Sequence, residues 1–398
     1  MQDIRPENLL TMTQMLWASF AARISRTGFL SAIQSGNIAS QLMIHIRVSQ
    51  TLSRMLPILV QSYFAVNRFH DAVDVLGKLK VDVSKEDPMD FVMICWYYCC
   101  CMNLVLYAGT RLEDPKDCVL FAKEAITKQM FNDHPLPLFC LACSICVYYQ
   151  RTENAGKLRD WMEIASDYEP RKFDEFLSVY GFLQLIECKL VELSRVRGIV
   201  EPDKSTLVYI KDRQTSINSD LNYIRKQMTQ LMVLKPRVTH LNAYLAAING
   251  RKSRSRHLLE DSIALAVDVD NALECQWAAR NHFHWYGIES ETYAVCFPDS
   301  IQTMAEDQDR DYWKENALKS FPLWSDHARD SGGRALKYPL PIPENCFEKR
   351  PKKKVVVELT NDPTSDATAK RPLLESIPSV SEPEEIADGI LDHVDSSP

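Results

Sequence analysis

The sequence predicts an all-α protein built as an irregular solenoid of helical hairpins. Apolar residues recur at three- and four-residue spacing through most of the chain, which is the period of one buried face of a helix. Only 12 glycines occur in 398 residues, and several of them stand where one helix should turn into the next. The degenerate repetition of such helix pairs indicates a solenoid.

The stretch His240–Tyr286 shows this organisation in its plainest form. A helix rich in small residues, among them Ala243 and Ala247, ends at Gly250, and a third helix begins near Asn271 after a second one. Small residues let two helices approach closely, and glycine supplies the turn between them. The stretch therefore predicts one and a half hairpins.

Two helices are predicted near the start of the chain. They cover Asn8–Ile33 and about Ile38–Met55, with a break at Ser35-Gly36-Asn37 between them. In the stretch Tyr63–Leu79 that follows, Asn67 stands at the turn between two helices, with the aromatic Phe69 two residues later and the small Ala72 three residues after that. Because that spacing is typical of tetratricopeptide-type repeats, we predict that the hairpins are tetratricopeptide-like.

The segment Phe91–Ala108 allows two interpretations. It is almost long enough to span a bilayer, and Asn103 is its only strongly polar member. However, no cluster of basic residues flanks it, and its cysteine-rich, aromatic composition is that of a helix buried on all sides. We favour the buried helix and expect no membrane span.

Further helices complete the predicted array, which we place in residues 1–330. They cover Pro115–Thr127, a hairpin over Pro135–Ala165, Lys172–Val196, Ser205–Leu234 with Pro236 as its stop, and Tyr312–Leu323. From Ser331 the composition turns to glycine, proline, serine and acidic residues, with too little apolar surface to offset chain entropy. Residues 331–398 are therefore predicted to be a disordered tail.

Charge and cysteine usage restrict the class of protein. The formal net charge of -7 argues against a protein that coats nucleic acid, so we expect no nucleic-acid partner. The 12 cysteines could form a disulfide framework, but the first residues lack the basic start and apolar core of a secretion signal. We interpret the cysteines as reduced thiols of a cytoplasmic or nuclear protein.

One cysteine cluster has the spacing of metal ligands. Cys140, Cys143 and Cys146 form two overlapping CxxC units, but they stand in an apolar helix, whereas a zinc or iron–sulfur site needs a fourth ligand and usually a loop. We favour buried small hydrophobic side chains, with a metal-binding protein as the alternative. His282 and His284 lack a partner carboxylate at ligand spacing, so we predict no metal or cofactor site.

Catalytic motifs are missing from the sequence. The chain contains no GxxxxGK[ST] phosphate loop, no GxSxG and no GxGxxG. Gly77-Lys78 and Gly156-Lys157 are each followed by leucine and lack the first glycine of a phosphate loop. We therefore predict that this chain has no catalytic residue and is not an enzyme.

Two basic runs remain. The first, Arg251–Arg256, is interpreted as a solvated turn, with Ser253 and Ser255 as candidate kinase substrates. The second resembles a monopartite nuclear-import signal and comprises Lys349, Arg350, Lys352, Lys353 and Lys354. The alternative for the second run is a solvated cluster that balances the acidic residues after it.

The stretch His240–Tyr286 also resembles the last helical repeats of the soluble, type 10, adenylyl cyclases. The resemblance is carried by the Gly250 turn, Leu258-Leu259-Glu260, Ile263-Ala264-Leu265-Ala266, Glu274, Trp277-Ala278 and Asn281. Members of that family carry two cyclase domains and a nucleotide-binding module ahead of a long helical-repeat region. The resemblance implies that this chain matches only the repeat region, so no catalytic residue is transferred to it.

These observations predict a non-catalytic protein-interaction and regulatory region that bears on cAMP signalling. Its partner would be a protein or peptide, for example a cyclase catalytic region, held on the concave face that stacked hairpins expose. The alternatives are a stand-alone tetratricopeptide-like scaffold unrelated to cyclases and a metal protein that uses the Cys140, Cys143 and Cys146 cluster.

Overall fold

The computed structural model describes residues 6–296, except 27, 47–48, 84–90, 110, 174, 200–201 and 289, together with residues 336 and 339–343. These residues form fourteen α-helices and no strand, which confirms the all-α class. The helices are α1 Pro6–Arg26, α2 Phe29–Ile46, α3 Ser49–Ala65, α4 Phe69–Val83, α5 Phe91–Ala108, α6 Pro115–Thr127, α7 Leu136–Arg151, α8 Ala155–Asp167, α9 Phe176–Arg197, α10 Lys204–Gln227, α11 Lys235–Ile248, α12 Lys252–Asp268, α13 Ala272–Tyr286 and α14 Glu291–Cys296.

From α3 onward the helices alternate between an inner row and outer positions. The inner row consists of α3, α5, α7, α9, α11 and α13, and each of these helices packs against the next one in the row. The helices between them, α4, α6, α8, α10 and α12, pack on one or both of their inner neighbours. The last helix of the row, α13, also contacts the first one, α3.

Local sequence determines where several of these helices begin and end. Asp114 caps α6 by accepting a hydrogen bond from the Lys116 amide at 2.8 Å, and Asn271 caps α13 through the Glu274 amide at 3.0 Å. Gly250 adopts φ +71° in the turn between α11 and α12, a conformation that favours glycine. The predicted glycine turn in this stretch is therefore confirmed.

The break predicted at Ser35-Gly36-Asn37 is wrong. The chain turns instead at Gly28, where φ is +127°, and Gly36 lies inside α2. A side chain at Gly36 would lie 2.9 Å from both Leu59 and Phe20, so this glycine allows close packing against α1 and α3. Glycine serves turns and close helix contacts alike, and the sequence pattern does not separate the two uses.

The boundary predicted for the helix Ser205–Leu234 also differs from the structure. Helix α10 ends at Gln227, and a short 3-10 turn, Met232–Leu234, follows. Pro236 does not stop a helix but lies in the first turn of α11. Backbone N–H groups in a first turn have no acceptor within the helix, so proline, which has no N–H, is tolerated there. The predicted helix Tyr312–Leu323 and nearly all of the tail from Ser331 lie outside the described residues.

Helix α5 is long and apolar enough to cross a membrane by length and composition alone. In this protein 78% of its residues are buried against other helices, mainly α3, α4, α6 and α7. Its one strongly polar residue, Asn103, accepts hydrogen bonds from Ser144 and Gln184, both at 2.9 Å. The burial and the bonded amide agree with the interpretation of this segment as a core helix.

The contrast between Gly36 and Gly77 gives a test of the inner packing. We expect Gly36→Leu to lower the free energy of unfolding by about 1–3 kcal/mol, because the new side chain overpacks Phe20 and Leu59. Gly77 lies in α4 with nothing near its missing side chain, so Gly77→Leu should raise stability by about 0.5 kcal/mol. Urea unfolding of both variants measures the difference, and equal shifts would contradict the packing described.

Candidate functional site

The inner faces of α5, α7, α9, α11 and α13 bring buried polar and aromatic side chains together. This central cluster comprises Asn103, Tyr107, Ser144, Arg151, Tyr180, Gln184, Glu187, Arg237, His240, Glu274, Trp277 and Asn281. The cluster borders a cavity of about 40 Å³. A cavity of that size accommodates about one water molecule, far less than a peptide or nucleotide needs.

Glu187 links two arginines from neighbouring helices. Its Oε1 accepts a hydrogen bond from Arg151 Nη2 at 3.3 Å, and its Oε2 accepts one from Arg237 Nη2. Arg151 also donates to the Leu106 carbonyl at 2.7 Å, although its side chain has no exposed surface. The carboxylate therefore ties α7, α9 and α11 together in the interior.

Trp277 and Glu274 extend this charge network to α13. The guanidinium carbons of Arg151 and Arg237 lie 5.7 and 5.4 Å from the Trp277 ring centroid, within the range of cation–π attraction. Arg237 also donates to Glu274 Oε1 at 3.4 Å. Burial alone would lower the pKa of Arg237, but the Glu274 and Glu187 carboxylates raise it above its usual value.

His240 is held as a neutral imidazole. Its Nδ1 lies 2.5 Å from Glu274 Oε1, and its Nε2 lies 3.0 Å from the Asn281 side-chain amide nitrogen. Because an amide nitrogen can only donate, Nε2 must accept and Nδ1 must carry the proton. Burial lowers the pKa of His240, in agreement with this tautomer. Burial opposes ionisation of Glu274, but Arg237 and His240 outweigh it and lower the pKa of that carboxyl.

The uncharged half of the cluster forms a separate chain of hydrogen bonds. Tyr180 donates its hydroxyl proton to the Tyr107 hydroxyl at 2.5 Å, and Gln184 Nε2 donates to the same oxygen at 2.8 Å. Burial raises the pKa of Tyr107 to about 12, so this phenol stays protonated at neutral pH. These bonds satisfy polar groups that would otherwise be costly to bury.

The three cysteines that have the spacing of metal ligands lie together on α7. Cys140, Cys143 and Cys146 are buried, and Cys140 Sγ donates to the Leu177 carbonyl at 3.4 Å. Burial raises the pKa of Cys143, which disfavours the thiolate that metals bind. Within the described residues no three histidine, cysteine or acidic side chains are arranged to hold a metal ion. None of Cys140, Cys143 and Cys146 forms a disulfide bond.

The other residues singled out from the sequence are spread over the chain. His282 is buried, with Nδ1 2.7 Å from the Ile288 carbonyl, and burial lowers its pKa; His284 is half-buried. Ser253 is exposed, whereas Ser255 is buried and donates to the Ala243 carbonyl at 2.7 Å. The basic run Lys349–Lys354 lies outside the described residues, so the nuclear-import signal stays a prediction.

Sequence reasoning did not identify Arg151, Glu187 and Arg237 as members of a site. A signal was present in Glu187, which lies between the apolar residues Ile186 and Cys188 of α9. A carboxylate at such a position is buried only when cations reach it. The two arginines stand near helix ends and look like ordinary surface residues in the sequence.

Removing the carboxylate of Glu187 should strongly destabilise the fold. We expect Glu187→Gln to lower the free energy of unfolding by about 3–5 kcal/mol, because Arg151 then keeps a buried charge without a counterion. Glu124 pairs with Lys128 on the surface, and Glu124→Gln should change stability by no more than about 0.5 kcal/mol. Chemical denaturation of both variants provides the comparison, and similar small losses would refute a linking role for Glu187.

The neutral state of His240 makes stability depend on pH. Folding lowers the pKa of His240, so below about pH 6.5 the unfolded chain binds a proton at this histidine and the folded chain does not. The free energy of unfolding therefore falls as pH drops below about 6.5. The largest slope from one such group is about 1.4 kcal/mol per pH unit. We expect His240→Asn to flatten the decline between pH 6.5 and pH 5.5. The matched control is His257→Asn, a substitution at an exposed position. If the plot of unfolding free energy against pH for His240→Asn runs parallel to that of the original chain, the result would argue against this tautomer.

Comparison with known proteins adds a similarity in sequence. No protein-family model matches the chain, and no solved structure matches it. Mouse (Mus musculus) adenylate cyclase type 10 is 22% identical over 304 residues, 76% of this chain and 17% of that protein. The Homo sapiens protein of the same name is 22% identical over 259 residues, 65% of this chain and 14% of its own length. The Oryctolagus cuniculus protein of that name is 23% identical over 266 residues, which are 67% of this chain and 15% of that protein.

These matches correct one prediction and confirm another. The prediction that the chain is not an enzyme is wrong, because the relatives that it matches over 65–76% of its length are adenylate cyclases, which are enzymes. Missing sequence motifs did not support that conclusion, since the chain spans only 14–17% of the length of those relatives. The resemblance to adenylyl cyclases is confirmed: the chain is similar in sequence to adenylate cyclase type 10 across most of its length.

Proposed function

We propose that the chain contributes a tetratricopeptide-like helical-repeat region to an adenylyl cyclase-related protein, where it binds a protein partner and bears on cAMP signalling. The observation that carries this proposal is the consistent similarity to adenylate cyclase type 10 from four mammals. Proteins built from stacked helical hairpins commonly act by binding other proteins, and this provides the mechanism.

The packing of the helices supports the solenoid part of the proposal. Consecutive helices pair as hairpins, as in α7 with α8 and α11 with α12, and each inner helix also packs against the next inner one. This alternation is what stacked two-helix repeats produce. The closing contact between α13 and α3 makes the array more strongly curved than an open solenoid.

The binding surface is proposed to lie outside the interior of the array. The predicted concave face is lined by inner helices whose side chains are buried, and the cavity there is only about 40 Å³. We propose a protein or peptide partner, such as a cyclase catalytic region, in the cytoplasm or nucleus. Neither nucleic acid nor a membrane enters this proposal, which is in line with the net charge of -7 and with the burial of α5.

Association with a cyclase tests the proposal. The full chain, carrying an affinity tag, is expressed with Homo sapiens adenylate cyclase type 10, and both cyclase recovery and cAMP formation are measured. We expect the cyclase to be recovered with the chain and cAMP formation to change by about fivefold or more, since coupling energies between sites are typically about 1–3 kcal/mol. No recovery and unchanged cAMP formation would contradict the proposal.

A further inference from the structure

An open groove of about 310 Å³ lies where α10 ends and where α11 and α12 begin. It is separate from the central cluster, because none of its lining residues belongs to that cluster. Its volume is in the range of sites that hold a ligand or a side-chain cluster of a peptide. The groove therefore offers the binding space that the interior of the array lacks.

Cations from three different helical segments line this groove. Arg225 stands at the end of α10, Lys235 is the first residue of α11, and Arg254 lies in the first turn of α12. Arg225 is held in place by hydrogen bonds to Asn222 Oδ1 at 2.9 Å and Asn242 Oδ1 at 3.1 Å. Both partners are neutral amides, so its charge is not compensated by them.

The groove contains no acidic group to balance these cations. Its described lining residues include no aspartate or glutamate, and across the described part of the chain neither Lys235 nor Arg254 forms an ion pair. The chain as a whole carries a net charge of -7, which makes a local excess of positive charge distinctive. Electrostatic complementarity consequently favours an acidic partner at this place.

The remaining walls of the groove are apolar. Met228 and Val238 are buried at its base, Leu258 is half-buried, and Met232 leaves 37% of its surface exposed. Methionine side chains are flexible and polarisable, and they adapt to the apolar residues of a bound helix. Recognition of an amphipathic helix uses this combination of an apolar base and charged edges.

We propose that this groove binds an acidic amphipathic helix of a partner protein, with the helix's apolar side chains on Met228, Met232, Val238 and Leu258 and its carboxylates beside the three cations. The proposal deepens the proposed function, on which it rests for the existence of a protein partner. Because the cations come from three separate helical segments, they match several carboxylates spaced along a helix better than one small anion.

A synthetic peptide tests this assignment on the full chain. The probe is a 16-residue helical peptide with leucines at i, i+3, i+4 and i+7, four glutamates on the opposite face and alanines elsewhere, and binding is measured by calorimetry. Two matched peptides replace either every glutamate by lysine or every leucine by alanine. We expect only the original peptide, which carries both leucines and glutamates, to bind. Its affinity should fall as salt is added, since exposed charges are screened.

Charge reversal in the groove gives the second arm of the test. Lys235→Glu with Arg254→Glu should weaken binding of the acidic peptide by about tenfold or more. The control variant, Lys123→Glu with Lys211→Glu, changes the net charge equally at exposed positions outside the groove and should leave affinity unchanged. Met232→Ala should also weaken binding. Circular dichroism and thermal melting confirm that each variant is folded.

Three results would overturn the groove assignment. They are unchanged affinity in the groove variants, equal binding of the alanine peptide, and displacement of the peptide by millimolar inorganic phosphate, which would mark a simple anion site. The outcome is separable from the cyclase experiment: peptide binding without cyclase recovery would refute the proposed function alone. Cyclase recovery that persists in the Lys235→Glu, Arg254→Glu variant would refute the groove alone.

Discussion

The ion pairs of Glu187 with Arg151 and Arg237 are the constraint on which the inner row depends. Burying a lone carboxylate or guanidinium is very unfavourable, and mutual attraction offsets that penalty only when the groups meet with good geometry. Glu187 and Arg151 are almost completely buried, so α7, α9 and α11 must adopt the one register that brings the charges together. Apolar packing alone would tolerate several such registers.

Around this network the close approach of helices is supplied by small residues. A side chain at Gly181 of α9 would lie 3.2 Å from both Cys140 Sγ and a Phe139 ring carbon of α7. The cysteines of α5 and α7 therefore act as compact apolar side chains between tightly packed helices. This explains why an apolar, cysteine-rich composition occurs together with buried charges and without a metal-ligand arrangement among the described residues.

Much of the local fold was predictable, because it depends on short-range patterns. The apolar period located most helices, and Asp114, Pro115 and Gly250 marked boundaries that the structure retains. Gly36 and Pro236 misled the prediction, since each residue type has two uses that only tertiary packing separates. The central cluster could not be predicted, because Arg151, Glu187 and Arg237 are far apart in sequence and meet only when α7, α9 and α11 pack side by side.

The packing of the inner helices separates two roles in the molecule. The interior is filled by paired charges and aromatic rings, so it holds the array together and leaves space for about one water molecule. We propose that binding takes place at the open groove between α10, α11 and α12, where cations without an ion-pair partner line apolar walls. Stability and recognition therefore depend on different residues of α10, α11 and α12, and each can be altered with little effect on the other.

A double-mutant cycle between Glu187 and Arg151 tests the central claim most directly. The free energy of unfolding is measured for the original chain, Glu187→Gln, Arg151→Met and the double variant. If the two side chains form the linking pair, the effects will be strongly non-additive, with a coupling energy of about 2–3 kcal/mol. Additive effects within about 0.5 kcal/mol would show that the two residues act independently and would contradict the account.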